Sequence, residues 1–368
     1  TLTDGEQSVT LQHLLIGEVW LCAGQSNMVM PLNGFDYCPI SDSNNVIADA
    51  PNHPGIRMVT IKPTVKLSPQ EYAEGSWQQP TTENAPKFSA AAYHYALTLQ
   101  RTLQIPIGVI TCAWGGSRVE GWLPKEILQT YKDEDLTLIG SDKTPVYLQS
   151  MLMYNGILYP CHKYTIKGFI WYQGESNVRS SRTYAERLAT MVKHWRSIWK
   201  QGDLPFYYVE TVPFACEYKE DGYIGALLRE AQQKALSLIP NSGMIGTNDL
   251  VETYEAPQVH PHNKKGIESE YPSYKSMKIN GETIEISFSH AEKGLSPWMN
   301  ISGFEIAGSD KVFYPAEASL NQKDHTVIVK SPTVKSPVAV RYCFRNFLKG
   351  NLINTRNLPV RPFRTDKW

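Results

Sequence analysis

The chain has 368 residues, with 36 Lys and Arg set against 36 Asp and Glu, so its formal charge is zero. That balance excludes a nucleic-acid binder working through a basic face, because phosphate neutralisation needs clustered Lys and Arg. Apolar residues at 42% and charged residues at 20% give ordinary globular composition, and no apolar run reaches the roughly 18 residues a spanning helix needs.

The length suggests two domains, or one large domain with an appendage. Six Cys are too few to build a disulfide fold of this size, and none are spaced C-x-x-C. Position 1 is Thr and no charged-then-apolar leader follows it, which reads as a removed leader or a trimmed chain.

From the N-terminus to about Ile267, apolar runs alternate with helical patterns. Glu18 to Cys22 reads as a short buried strand running into Ala23-Gly-Gln-Ser-Asn-Met28. Asp42 to Pro54 reads as a long surface loop. Ser89 to Leu103 is rich in helix formers, with Ala92, Tyr95, Ala96 and Leu99 expected on one face. Ile107 to Ala113 is a β-branched strand ending at Trp114-Gly115-Gly116. Tyr131 to Val146 is a second long loop, of the kind that often faces substrate. Lys167 to Tyr172 repeats the strand design and ends at Gln173-Gly-Glu-Ser-Asn177. Arg182 to Trp199 is an amphipathic helix with Tyr184, Leu188, Met191, Trp195 and Ile198 at helical spacing. Pro205 to Val212 and Gly243 to Thr247 are further strands flanking a helix near Tyr223 to Leu238. Continuous apolar strands alternating with helices indicate a parallel sheet covered on both faces. The ligand crevice of such a sheet lies at the strands' carboxyl ends, where the polar motifs fall.

After Ile267 the texture changes. Glu282 to Ser289, Gly303 to Ala307, His325 to Val329 and Val338 to Phe344 are short alternating strands, and no helix pattern follows. This is a β-rich C-terminal part, either a small sandwich or a flank on the α/β domain.

Ser26 has two readings. It is a helix N-cap, or a nucleophile whose hydroxyl is held at the sheet edge. G-Q-S-N lacks the second Gly of the G-x-S-x-G elbow. Acyl transfer also needs donors aimed at an oxygen that becomes negative, and the Gly115-Gly116 backbone and the Asn177 amide are suitable parts. Each also has an ordinary explanation as turn or cap chemistry. His260, in Gln258-Val-His-Pro-His-Asn-Lys264, follows the last parallel strand and is placed to take and return the serine proton. His260 and His262 also fit a metal pair at i, i+2, but no third ligand with recognisable spacing accompanies them, so no metal is expected.

Four blocks occur in order: Gly17 to Met28, Trp114-Gly-Gly-Ser-Arg-Val-Glu-Gly-Trp122, Trp171-Tyr-Gln-Gly-Glu-Ser-Asn177 and Val259-His-Pro-His-Asn-Lys264. Together they resemble the carbohydrate-esterase branch of the SGNH hydrolases, and most closely the sialate O-acetylesterases. Leu358 to Trp368 resembles the ending typical of that group. The resemblance implies a three-layer α/β/α, flavodoxin-like domain with a parallel sheet of about five strands. It implies Ser26 as nucleophile, Gly116 as backbone oxyanion donor with Gly115 a close rival, Asn177 as side-chain donor and His260 as general base. It also implies that residues 1–16 are the last strand of an upstream β domain, with the esterase domain at 17–270 and a β-rich region at 271–368.

One departure stands out. Many SGNH enzymes carry an Asp two or three residues before the catalytic His, where this chain has Gln258 and Pro257. Asp249, Glu252, Glu255, a backbone carbonyl or the Gln258 amide remain as orienting groups, and the acid is left unassigned. The reaction expected is removal of acetyl groups from O-acetylated sugars, sialic acid first, through an acetyl-enzyme that water hydrolyses, with no cofactor. An acetylated polysaccharide such as xylan is the alternative substrate, and a non-catalytic carbohydrate-binding protein is the alternative class. Gln25, Arg118, Gln173 and Glu175 are candidate substrate contacts. Arg118 either pairs with a sialate carboxylate or is tied to Glu120 or Glu175. Trp114, Trp122 and Tyr172 are candidate sugar-stacking aromatics, with core packing as the rival role. Acetylated glycans are met outside the cytoplasm, so the family suggests a secreted or periplasmic protein.

Overall fold

A computed structural model describes residues 1–36, 38–214, 222–248, 270–297 and 299–368. Its centre is a six-stranded sheet built from β1 (Glu18–Gly24), β2 (Ile56–Thr60), β3 (Ile107–Ala113), β4 (Gly168–Tyr172), β5 (Phe206–Val209) and β6 (Ser242–Ile245). The spatial order is β2-β3-β1-β4-β5-β6, and every neighbouring pair is parallel. The sheet thus has one strand more than the family pattern suggests. The extra strand is β2, whose short Ile-Arg-Met-Val-Thr run carries an Arg, so it does not stand out as a continuous apolar run.

Period-two alternation divides each strand between two cores. Leu21, Ala23, Ile110, Cys112, Phe169 and Trp171 face one side. There they meet Tyr184, Leu188, Met191 and Trp195 of α5 (Ser181–Trp199) and Leu228 and Ala235 of α6 (Ile224–Leu238). Trp20, Cys22, Val109, Ile170 and Tyr172 face the other side, against Met28 of α1 (Ser26–Val29) and Ala92, Tyr93 and Ala96 of α3 (Ala90–Leu103). Leu128 of the short α4 (Lys125–Leu128) joins the α5-side core, and helices on both faces complete the three-layer α/β/α arrangement. The buried face of α3 is Ala92, Tyr93, Ala96 and Leu97, so Tyr95 and Leu99 flank the core rather than fill it. The segment expected as a loop at Asp42 to Pro54 contains α2 (Ser43–Asp49) followed by a 3-10 turn at Ala50–Asn52. Ala50 is fully buried, and Val46 and Ile47 pack on the α3-side core.

Beyond Tyr271 the chain is antiparallel. One four-stranded sheet joins Glu317–Asn321, Thr326–Lys330, Thr283–Ser289 and Ser273–Asn280; a second joins Phe313–Pro315, Phe304–Ala307, Ala339–Tyr342 and Phe363–Arg364. They share a core that includes Ile284, Ile286, Phe304, Ile306, Val327, Val340 and Phe363. The final segment is fixed by ion pairs. Arg341 makes two 2.8 Å bonds to the buried Asp366, and Arg364 grips Glu230 of α6 at 2.9 and 3.0 Å. At the N-terminus, Leu2–Thr3 and Ser8–Val9 form a two-stranded hairpin of their own rather than one long strand.

Candidate active site

Sheet register brings three of the four blocks together. Gly24 lies opposite Ala113 on one side and Tyr172 on the other, so β1, β3 and β4 end at one level. The residues that follow each of them share one edge. At that edge the chain leaves β1 through Gly24 (φ +147) and Gln25, and α1 begins at Ser26. The helix N-cap is therefore Gln25, and it makes no side-chain cap bond. Ser26 is half-buried while Asn27 and Met28 are buried, so its side chain lies on the more open side of the turn. Gly115 sits beside it: a Cβ on Gly115 would lie 3.9 Å from Ser26 Cβ.

Buried side-chain bonds knit the blocks into a frame. Gln25 is 3% exposed, and its Oε1 accepts from the Gly174 N–H at 3.1 Å. Ser176 Oγ donates to the Gly116 carbonyl at 2.7 Å. Gln173 donates from Nε2 to the Ser117 carbonyl and to Asn177 Oδ1, at 3.0 and 2.8 Å, and accepts from the Tyr184 hydroxyl on Oε1. Gln25 and Gln173, expected at the substrate, therefore hold strand ends in place. Amides suit this work because each carries both donors and acceptors and needs no counter-ion.

Asn177 is completely buried. Its Oδ1 accepts from the Val119 N–H at 2.9 Å. Its Nδ2 faces the Glu120 carboxylate, with the two oxygens at 3.3 and 3.0 Å. Glu120 in turn receives Arg187 Nη1 at 2.6 Å. Arg187 was not singled out from sequence, yet a signal existed. Arg187 lies on the apolar stripe of α5, three residues after Tyr184 and four before Met191, and a charge there implies a buried partner.

Arg118 points into the 131–150 segment. Its Nη2 lies 2.6 Å from Glu134 Oε1, its Nε donates to the Leu148 carbonyl at 2.9 Å, and Glu120 is 3.7 Å from Nη1. Ser150 Oγ also donates to Glu134. The partners expected were a sialate carboxylate, or Glu120 or Glu175 within the protein; the principal protein partner is Glu134, supplied by the long loop, with Glu120 farther off.

Glu175 lies beside Asn27, the residue after Ser26. Its Oε1 accepts from Asn27 Nδ2 at 2.8 Å, and its Oε2 is shielded from solvent without a partner among the described residues. Burial raises its pKa above the ordinary carboxylate value, and its backbone and Asn27 hydrogen bonds offset part of that rise. A second such carboxyl, Glu210, follows β5. It is fully buried and burial raises its pKa; Gln233 holds Oε1, while Oε2 has no partner among the described residues.

Trp122 and Tyr172 are core residues. Trp122 is fully buried against Trp171 and Trp195, and Tyr172 is 1% exposed in the α3-side core. Trp114 is half-buried and packs on the α5-side core. His260 and His262, and the orienting candidates Asp249, Glu252, Glu255 and Gln258, lie outside the described residues. Among the described residues no cluster of three or more His, Cys, Asp and Glu is arranged to hold a metal ion.

Comparison with known proteins gives this frame its relatives. Residues 16–267 match the family described as carbohydrate esterase, sialic acid-specific acetylesterase. Human sialate O-acetylesterase is 25% identical over 284 residues, covering 71% of this chain and 53% of the human protein. The mouse enzyme is 25% identical over 316 residues, covering 72% of this chain and 57% of its own length. The chain thus spans little more than half the length of these curated relatives. The crystal structure of a carbohydrate acetylesterase from Xanthomonas citri superposes with a TM-score of 0.82 at 32% identity, covering 96% of this chain and 81% of that one. Three strand ends carrying the ordered blocks, and a family match across more than half of the sequence, lead to one conclusion: the chain belongs to the sialic acid-specific acetylesterase family of carbohydrate esterases.

Proposed function

We propose that the protein is a serine esterase that hydrolyses O-acetyl esters of carbohydrates, with the chemistry carried by the 17–270 part. The observation that carries this reading is the placement of Ser26 at the sheet's carboxyl edge, half-exposed at the first turn of α1 with Gly115 against it. Ser26 attacks the acetyl carbonyl, and His260 takes the serine proton and returns it to the leaving sugar hydroxyl. Water then cleaves the acetyl-enzyme by the same path.

Backbone N–H groups of the Gly115-Gly116 turn supply the oxyanion donors in this reading, because that turn borders the nucleophile. The sequence suggested the Asn177 amide as a second donor, but its Nδ2 lies against Glu120. We therefore assign Asn177 to positioning the Val119–Glu120 segment. Glu175 shapes the floor beside Ser26 through Asn27.

The names of the curated relatives favour O-acetylated sialic acid, and acetylated xylan-type sugars are the alternative. Arg118 does not decide between them, since its guanidinium is paired with Glu134. We place the protein outside the cytoplasm, where such glycans are met. The test is acetate release from O-acetylated N-acetylneuraminic acid and from acetylated xylo-oligosaccharides by the wild type and by Ser26→Ala. Loss of a catalytic serine is expected to lower kcat by at least about 10³-fold. Equal activity in the two proteins would remove Ser26 from the mechanism. Binding of either sugar without acetate release by the wild type would favour the non-catalytic reading instead.

A further inference from the structure

We propose that Tyr147 is the sugar platform of this site, a specificity-determining residue that takes the apolar C–H face of a pyranose ring beside Ser26. The proposal rests on the esterase reading above and names what recognises the sugar.

Two observations meet at this side chain. Tyr147 belongs to the 131–150 loop and is 40% exposed, whereas Trp122 and Tyr172 are buried. Its ring nevertheless lies directly over the Gly116 backbone: a Cβ on Gly116 would stand 2.7 Å from Tyr147 Cδ2, 3.0 Å from Cε2 and 3.3 Å from Cγ. Gly115, the next residue back, borders Ser26 Cβ. A partly exposed aromatic ring is thus separated from Ser26 by one glycine turn. Binding clefts for polar ligands commonly pair apolar and aromatic walls with a few fixed polar groups, and a Tyr ring offers large area for little conformational entropy.

The platform is also rigidly held. Arg118 Nε donates to the carbonyl of Leu148, the residue after Tyr147, at 2.9 Å. Gln149, 3% exposed, closes the loop from within. Its Oε1 accepts the Gly140 N–H at 2.6 Å, and its Nε2 donates to the Ser141 and Thr144 carbonyls at 2.9 and 2.8 Å. Arg118, through Glu134 and the Leu148 carbonyl, clamps this loop to the block that carries Gly115 and Gly116, and Gln149 ties the loop to itself. Buried polar groups on a loop are costly unless hydrogen-bonded, and a satisfied network of them rigidifies the segment that carries it. Here the geometry they fix is the seat of Tyr147 against Gly116. A ring ordered before substrate arrives loses less entropy on binding.

The test compares kcat/KM on O-acetylated xylotriose and on O-acetylated N-acetylneuraminic acid with kcat/KM on vinyl acetate, which carries no ring to stack. For Tyr147→Ala the sugar-to-vinyl ratio is expected to fall about tenfold on the sugar the wild type prefers, mainly through KM. Tyr147→Phe and Tyr147→Trp keep the ratio within about threefold, because the face survives. Tyr147→Leu is a second truncation of similar bulk, and thermal melting checks that each variant folds. An unchanged ratio in Tyr147→Ala and Tyr147→Leu overturns the proposal, as does an equal fall in Tyr147→Phe. If Ser26→Ala retains full activity the serine-nucleophile reading fails instead, so the two failures are distinguishable.

Discussion

Gly24→Ala tests whether the placement of Ser26 depends on how closely β1 approaches β4. Gly24 has φ +147, and a Cβ there would lie 2.1 Å from the Tyr172 carbonyl oxygen and 2.7 Å from its carbon. Ordinary contact begins at 3.4 Å, so relief requires the strand ends to part by about 1.3 Å, the difference between 3.4 and 2.1 Å. Both atoms in the way are backbone, so no rotamer change resolves the clash. Parting the strands breaks the 3.0 Å bond from the Gln25 N–H to the same carbonyl, worth about 0.5–1.5 kcal/mol. The unfavourable φ adds roughly 1–3 kcal/mol. Together these terms come to about 3 kcal/mol, or a Tm lower by about 6–12 °C for a domain of this size. Ser26 follows two residues later and moves with the turn, and a misplacement near 1 Å costs about 10²-fold in rate. The assay is a thermal melt with kcat/KM on an acetyl ester. Gly202→Ala is the control, since Gly202 has φ +77 with nothing within 4 Å; it should lose about 1 kcal/mol and keep its activity. A Gly24→Ala protein within about 2 °C of wild type and within about threefold in activity would show that the close approach has no bearing on the site.

Asn177→Ala leaves the Val119 N–H, Gln173 Nε2 and the Glu120 carboxylate each short of a buried partner. At about 1–3 kcal/mol for each group the loss is roughly 3 kcal/mol or more, so Tm and kcat should fall together. A fall in kcat of about 10²–10³ with an unchanged melt would instead mark Asn177 as an oxyanion donor. Glu210→Gln addresses pH. Burial raises the Glu210 pKa from the ordinary value of 4.5, so the folded state holds its proton more tightly than the unfolded chain. Its contribution to stability is greatest below about pH 4.5 and is lost as pH rises from there through the raised pKa. The Gln variant mimics the protonated form, so its Tm should gain on wild type by a few degrees between pH 4.5 and 8. A Tm difference that stays flat with pH would remove the buried carboxylate as the cause.

The order of the fold was readable because β1, β3, β4 and β5 are near-continuous apolar runs and α5 carries a clear 3.6-residue stripe. β2 escaped notice because Arg57 interrupts its pattern, and α2 because Ser43-Asn-Asn has weak helix propensity and no capping side chain. Within the site, chain position located Ser26 and the glycine pair, since motifs that follow parallel strands converge on one edge. Side-chain direction was not readable. Gln25, Gln173 and Arg118 lie in the blocks yet turn toward Gly174, Ser117 and Glu134. Short motifs fix the residue types and leave open which neighbour each group meets. Tyr147 carries no motif at all, and only the fold of its loop brings it over Gly116.

The frame that joins the three strand ends has a chemical consequence. The Gln25–Gly174, Ser176–Gly116 and Gln173–Ser117 links are made by carboxamides, a hydroxyl and peptide groups. None of these groups ionises where imidazole titrates. Mild acid or added salt therefore leaves these struts uncharged and in place while an imidazole in the proposed role of proton carrier would change state. An activity profile against acidity should accordingly trace a titration, and it should reverse fully when the buffer is restored.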